Sequence, residues 1–241
     1  MKRIGHKGAA AAVTGNTLES FGAAAEAGVD MIELDVLWLR DGHTKLPAAE
    51  RSPLVIAHDW RDAEARPRLT LAEALDAFTR PPLDRVEIDC DLKLRGRETE
   101  LHDALRERDL LGRAMVSTME VPSLVELRRL SAELRLGWTV PKSRRDWPSI
   151  RWARPLLYAG IGSLRARLPG IVRRRAPRLG VQAIWAYQHV ITRRLADTAH
   201  TAGIELYAWT VDDLSRMQAL KTLGVDGICS NDPRLFAELR T

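Results

Sequence analysis

Short apolar runs alternate with helix-like patterns along almost the whole chain, and this rhythm limits the fold more than any other feature. Residues 3–6 read as a strand. Residues 17–27 read as a helix, with Leu18, Phe21, Ala24 and Ala25 at three-to-four spacing, and 31–37 as the next strand. The pattern continues through strand 54–58, helix 69–78, strand 86–92, helix 98–108, strand 114–117, helix 122–132 and strand 134–140. It resumes with strand 182–186, helix 192–202, strand 204–209, helix 212–223, strand 225–229 and helix 233–239. Thr70 and Glu73 have the spacing of a capping box, and Gly203 and Gly224 fall just past helix ends, where a left-handed residue is wanted. Strands separated by helices pair in parallel. About eight strand–helix units fit, so the expected fold is α/β: a TIM-type (β/α)8 barrel, with a doubly wound sheet as the rival architecture.

The chain has 241 residues, 45% hydrophobic and 29% charged, enough for one barrel-sized core. A single domain over residues 1–241 is expected, with 142–180 as a basic helical insertion where the rhythm breaks. That segment holds eleven Lys and Arg against one acid, Asp146, so the net charge of +5 belongs to it and not to the whole surface. A basic balance confined to one segment does not point to nucleic acid. No apolar run follows the first three residues, and no run is long enough to span a membrane, so a cytoplasmic protein is expected. Cys90 and Cys229 sit in apolar strands without metal-ligand spacing and read as buried thiols. His43, His102, His189 and His200 fall in loops or helices and read as surface residues.

Polar residues gather at the C-terminal ends of the strands, where barrel enzymes build their sites. Glu33 and Asp35 are two apart on a strand, so both face the barrel mouth while Ile32, Leu34 and Val36 face the helices. Two inward carboxylates repel unless a cation joins them, and a hard divalent ion, Ca2+ or Mg2+, suits oxygen ligands. Asp89, Asp91 and Lys93 share one face of the strand at 86–92. Asp91 is nearest the rim and is the third expected ligand, with Asp89 the fallback, and Lys93 would face a phosphate oxygen. His6 and His58 end two strands and are the acid–base candidates.

These residues carry a resemblance. IGHKG at 4–8, NTLESF at 16–21, GVDMIELDV at 28–36, DG at 41–42, HD at 58–59 and DLK at 91–93 follow in order, with AHTAGIELYAWTVDD at 199–213 and LGVDGICSNDP at 223–233. The ordered set resembles the glycerophosphodiester phosphodiesterase family over nearly the whole chain except 142–180. Three positions depart from the family: Lys7 stands for an Arg, Gly15 for a Glu, and Asp91 for a Glu. The resemblance implies a TIM barrel that hydrolyses glycerophosphodiesters to glycerol phosphate and an alcohol. It implies a divalent metal on Glu33, Asp35 and Asp91, and His6 and His58 as the acid–base pair. Lys7 and Lys93 would lie near phosphate, and Trp209 against the glycerol. The expected partner is a small-molecule phosphodiester and not nucleic acid.

The basic segment motivates an alternative of the same chemistry, a lysophospholipase D acting on lysolipids. Leu156, Leu157, Ile161, Leu164 and Leu168 recur at helical spacing, Pro169 and Gly170 interrupt, and Arg173, Arg174 and Arg175 follow. Such a helix either packs its stripe on the barrel or lies on an anionic membrane. Rivals from other classes are a non-catalytic barrel that binds phosphate ligands and a sugar-phosphate isomerase barrel.

Overall fold

The computed structural model describes residues 1–39, 51–142 and 154–239, apart from the side chains of 154–159. Strands and helices alternate as β1 (Lys2–His6), α1 (Leu18–Glu26), β2 (Met31–Leu37), β3 (Val55–Ile56), α2 (Trp60–Ala65), α3 (Leu71–Phe78), β4 (Glu87–Leu92) and α4 (Glu98–Arg106). They go on as β5 (Ala114–Thr118), α5 (Val121–Leu130), β6 (Arg135–Val140), α6 (Arg154–Leu179), β7 (Ala183–Tyr187), α7 (Arg193–Thr201), β8 (Glu205–Trp209), α8 (Leu214–Leu223) and β9 (Gly227–Ser230). Eight strands pair in parallel in the circular order β1-β2-β4-β5-β6-β7-β8-β9 and back to β1, a closed TIM-type barrel.

The two faces of each strand feed different layers. Ile32, Leu34 and Val36 of β2 and Ile88, Cys90 and Leu92 of β4 join the apolar layer between sheet and helices. Ile4, Met31, Met115, Ala183, Trp185, Tyr207 and Cys229 fill the barrel interior. The larger aliphatic side chains among them, such as Ile4, Met31 and Met115, each contribute roughly 1.5–3 kcal/mol by burial. Trp185 reaches across the interior only because β6 carries Gly137, where a Cβ would lie 2.6 Å from the indole. Both cysteines are buried and unpaired with each other.

Several expectations change. Residues 54–58 do not form a barrel stave; β3 is a two-residue stub antiparallel to β2. β1 accompanies β2 only as far as the His6–Glu33 pair, so the edge at Val36 and Leu37 is free, and Val55 and Ile56 take it. The short helix α2 was not expected. The capping box of Thr70 and Glu73 is present, but residues 233–238 form a 3-10 helix in place of an α-helix. Helix α6 runs straight through Pro169 and Gly170 for 26 residues. Proline removes one intrahelical bond, and Pro169 lies in a face anchored by buried Leu168, Val172 and Ala176. His102 is buried on the inner side of α4 beside Leu101 and Leu105, contrary to a surface reading.

Candidate active site

The inward residues of β2 and β4 meet at the C-terminal mouth. Carboxylate oxygens of Glu33, Asp35 and Asp91 all lie within 4.8 Å of one another. Lys93 places its ammonium in close contact with both Asp35 Oδ1 and Asp91 Oδ2. Burial disfavours ionisation of Asp35, but Lys93 and then Lys7 outweigh it and hold the carboxyl well below the usual range. Glu33 lacks such a partner: burial, then the neighbouring Asp35 charge, push it well above. Burial likewise raises Asp91, against the pull of Lys93. Three converging hard oxygen donors, with one carboxylate held back from ionising for want of positive charge, fit a hard divalent cation. Asp89 is one layer deeper, fully buried; Ser117 Oγ donates to it at 2.7 Å, and its Oδ1 has no hydrogen-bond partner. It lies apart from the three-carboxylate group.

His6 is oriented from behind. The Asp212 carboxylate accepts from the Asn231 backbone N–H at 2.8 Å and from Asn231 Nδ2 at 2.6 Å. That grip turns Asn231 Oδ1 toward His6 Nδ1, 2.7 Å away. An amide oxygen only accepts, so Nδ1 carries the proton and Nε2 keeps its lone pair. Nε2 lies 3.8 Å from Glu33 Oε2. Burial, then the Lys7 charge, lower the ring's pKa to about 4, so it is neutral near pH 7.

Lys7 follows at φ +54°, a left-handed turn that aims its backbone N–H at Glu33 Oε2 (3.0 Å) and brings Nζ to 3.6 Å from Asp35 Oδ2. Gly15 packs against it: a Cβ there would lie 2.9 Å from Lys7 Cβ, so two of the three positions that depart from the family pattern touch. Asn16, also left-handed, donates through Nδ2 to Asp35 Oδ2 at 2.8 Å and accepts from the Asp35 backbone. His58 is more than half exposed, with Nδ1 3.2 Å from Asp59 Oδ2. It stands near enough to Asp35 and Asp91 to bear on both carboxyls. Trp209 ends β8, its ring 5.6 Å from that of Tyr187 on β7, and its buried Nε1 meets no acceptor among the described residues.

Asn16, Asn231 and Asp212 were not singled out from sequence. The only signal was their place inside the NTLESF, WTVDD and SNDP stretches, since nothing in an amide's spacing says which ring or carboxylate it will hold. On α6, Ile161 and Leu168 are buried and Leu164 packs against the barrel, while Arg173, Arg174 and Arg175 are exposed. The side chains of Leu156 and Leu157, and residues 41–42 with His43, lie outside the described residues.

An eight-stranded parallel barrel with a carboxylate and histidine rim is the plan of a barrel phosphodiesterase. The model of the glycerophosphoryl diester phosphodiesterase family matches residues 6–46 and 87–235. The chain belongs to that family and is a phosphoric diester hydrolase. The match does not include 47–86, the stretch that carries His58. A glycerophosphodiester phosphodiesterase of Caldanaerobacter subterraneus subsp. tengcongensis is 25% identical over 270 residues, covering 98% of this chain and 96% of the relative. Among solved structures, a glycerophosphodiester phosphodiesterase from Parabacteroides distasonis superposes with a TM-score of 0.70 at 17% identity, over 99% of this chain and 98% of that one. An Oleispira antarctica phosphodiesterase in complex with the product sn-glycerol-3-phosphate gives 0.69 at 19% identity, over 99% and 96%. No helix among the described residues is long and apolar enough to cross a membrane.

Proposed function

We propose that this chain hydrolyses glycerophosphodiesters to glycerol phosphate and an alcohol, with His6 and His58 as the acid–base pair. Glu33, Asp35 and Asp91 would hold a divalent ion, Ca2+ or Mg2+. The observation that carries the reading is the convergence of those three carboxylates within 4.8 Å, with the lone-pair nitrogen of His6 at their edge. The Oleispira phosphodiesterase in complex with sn-glycerol-3-phosphate supports glycerol phosphate as the product.

A bound divalent ion would supply positive charge to a nonbridging phosphate oxygen and acidify an oxygen bound to it. The chain's own groups do the rest. His6 Nε2 takes the proton of the attacking oxygen, while Asn231 holds the ring's other proton in place. As the bond from phosphorus to the leaving alcohol breaks, His58 gives that oxygen a proton, with Asp59 beside the ring to balance its charge. Lys7 and Lys93 offset charge on phosphorus, and Trp209 packs on the glycerol. Water-soluble diesters are better supported than lysolipids. The described part of the α6 stripe is buried on the barrel. Arg173, Arg174 and Arg175 lie toward the end of α6 that leads to the start of β7, away from the mouth.

The test is turnover of glycerophosphocholine and glycerophosphoethanolamine before and after EDTA, with Ca2+ or Mg2+ added back. Activity should vanish with chelation and return with the ion, and Glu33→Gln and Asp35→Asn should each lower kcat/KM by about 100-fold or more. Undiminished hydrolysis by the Asp35→Asn variant would sink the metal assignment.

A further inference from the structure

The opposite side of the mouth holds positive charge without a matching acid. In the circular strand order, β7 and β8 stand across the barrel from β2 and β4. Tyr187 and Trp209 are register partners at their C-terminal ends. The His189 ring packs 5.2 Å from Tyr187, so three rings form a line running outward from Trp209. Two guanidinium groups flank its outer end. Arg165 of α6 donates from Nε to the His189 carbonyl at 2.8 Å. Arg216, in the first turn of α8, donates from Nε to Gln188 Oε1 at 3.2 Å and from Nη2 to the Gln188 carbonyl. Gln188 is itself tied by Nε2 to the Thr210 carbonyl at 2.5 Å.

All of these anchors are neutral oxygens. Among the described residues, no carboxylate lies within ion-pair distance of Arg165, Arg216 or His189. The three therefore repel one another: burial and then the Arg165 charge lower Arg216, and burial with both arginines lowers His189. The bonds that position the guanidinium groups leave both terminal nitrogens of Arg165 and Nη1 of Arg216 free to donate. Fixed donors with uncompensated positive charge, beside a line of aromatic rings, are what a planar or tetrahedral oxyanion needs.

We propose that Arg165, Arg216 and His189 form a second anion subsite, which takes a phosphate carried on the alcohol part of the diester. The inference rests on the phosphodiesterase reading above and adds a substrate class to it: glycerophosphodiesters whose leaving alcohol is itself phosphorylated. The scissile phosphate lies at the acid-rich side of the mouth. The glycerol keeps Trp209, the leaving alcohol crosses toward the outer rings of Tyr187 and His189, and its terminal phosphate meets the two guanidinium groups.

A matched pair of diesters tests this. One is glycerophosphoglycerol; the other is the same molecule with a phosphate on the terminal hydroxyl of the leaving glycerol. The intact protein should prefer the phosphorylated member by about tenfold or more in kcat/KM, a modest value for a charge-assisted pair of hydrogen bonds. Arg216→Gln and Arg165→Gln should each pull that ratio toward one, and Arg165, being exposed with a single anchoring bond, can be changed without risk to folding. A second readout needs no turnover: with EDTA present, the phosphorylated diester should shift the His189 ring NMR signals, and Arg216→Gln should abolish the shift. A His189 response without hydrolysis of either diester would keep the subsite and discard the glycerophosphodiester reading proposed above. Hydrolysis of both with no preference and a silent His189 would discard the subsite alone. The lipid source is tested with phosphatidylglycerol and phosphatidylcholine vesicles at low salt. Binding to the anionic vesicles that is lost in the Arg165→Gln, Arg216→Gln double variant, with no preference between the soluble diesters, would overturn the proposal in favour of surface anchoring.

Discussion

At the base of the barrel, the first residues of β1, β4, β6 and β8 form a closed set of charges. Lys2 Nζ lies 2.5 Å from Glu87, Arg135 bridges Glu87 at 3.0 Å and Glu205 at 2.5 Å, and the Tyr207 hydroxyl donates to Glu205 at 2.8 Å. At the mouth, two of the same strands end on His6 and Trp209, and a third carries Asp91 one residue before its end. Both clusters are built by period-two alternation on shared strands, from Lys, acids and a ring. They differ in balance. Both carboxylates of the base cluster, Glu87 and Glu205, touch a cation. At the mouth, Lys93 serves Asp35 and Asp91, Lys7 adds to Asp35, and Glu33 meets, among the described residues, a backbone N–H and a neutral imidazole. Matched charge closes one end; at the other, acid is left unmatched, as the cation and proton transfers proposed above would require.

That contrast can be broken at either end. The largest effect is expected from His6→Ala, which should lower kcat by about 100-fold or more while leaving the thermal midpoint nearly unchanged, as judged by steady-state kinetics beside a melting curve. Turnover close to the parent would remove His6 from the mechanism. Arg135→Met should do the reverse. Breaking a partly exposed charge network is expected to lower stability by about 1–3 kcal/mol in urea unfolding and to leave kcat within about twofold. A kcat that fell with stability would mean that the base and the mouth are coupled. The smallest effect concerns pH. His6 has a folded pKa of about 4 against an ordinary value of 6.5, so the unfolded chain binds its proton more tightly. Stability from the neutral ring is present above 6.5 and is lost as pH falls toward 4. His6→Gln should therefore flatten the fall in melting temperature across that window, whereas Arg135→Met should shift the curve without changing its slope there.

The legible part of this molecule was the part governed by alternation. Glu33, Asp35 and Asp91 could be placed at the mouth because inward and outward residues take turns along β2 and β4, and no tertiary knowledge is needed to count by two. The stub β3 was misread as a stave because Leu54, Val55, Ile56 and Ala57 are as apolar and as buried as any barrel strand. Only the early end of β1 decides which edge they meet. Pro169 and Gly170 looked like a helix stop because local propensity favours one, yet the buried row Leu168, Val172 and Ala176 holds the helix together across them. The supports of the site, Asn16 and the Asn231–Asp212 pair, stayed out of reach for a different reason. Asn16 grips Asp35 across 19 residues, and Asn231 meets His6 across 225; neither contact leaves a trace in local spacing.

The ammonium of Lys93 between Asp35 and Asp91 has a consequence for how the protein is made. Acid-rich metal sites commonly leave the apo chain with repulsion that only the ion relieves, so that folding waits on metal supply. Here the chain brings its own tethered counter-charge on the same strand as one of the acids. The nascent barrel can close its mouth on that counter-charge alone, so an ion at the metal site proposed above would load as a later, reversible step rather than as a condition for folding.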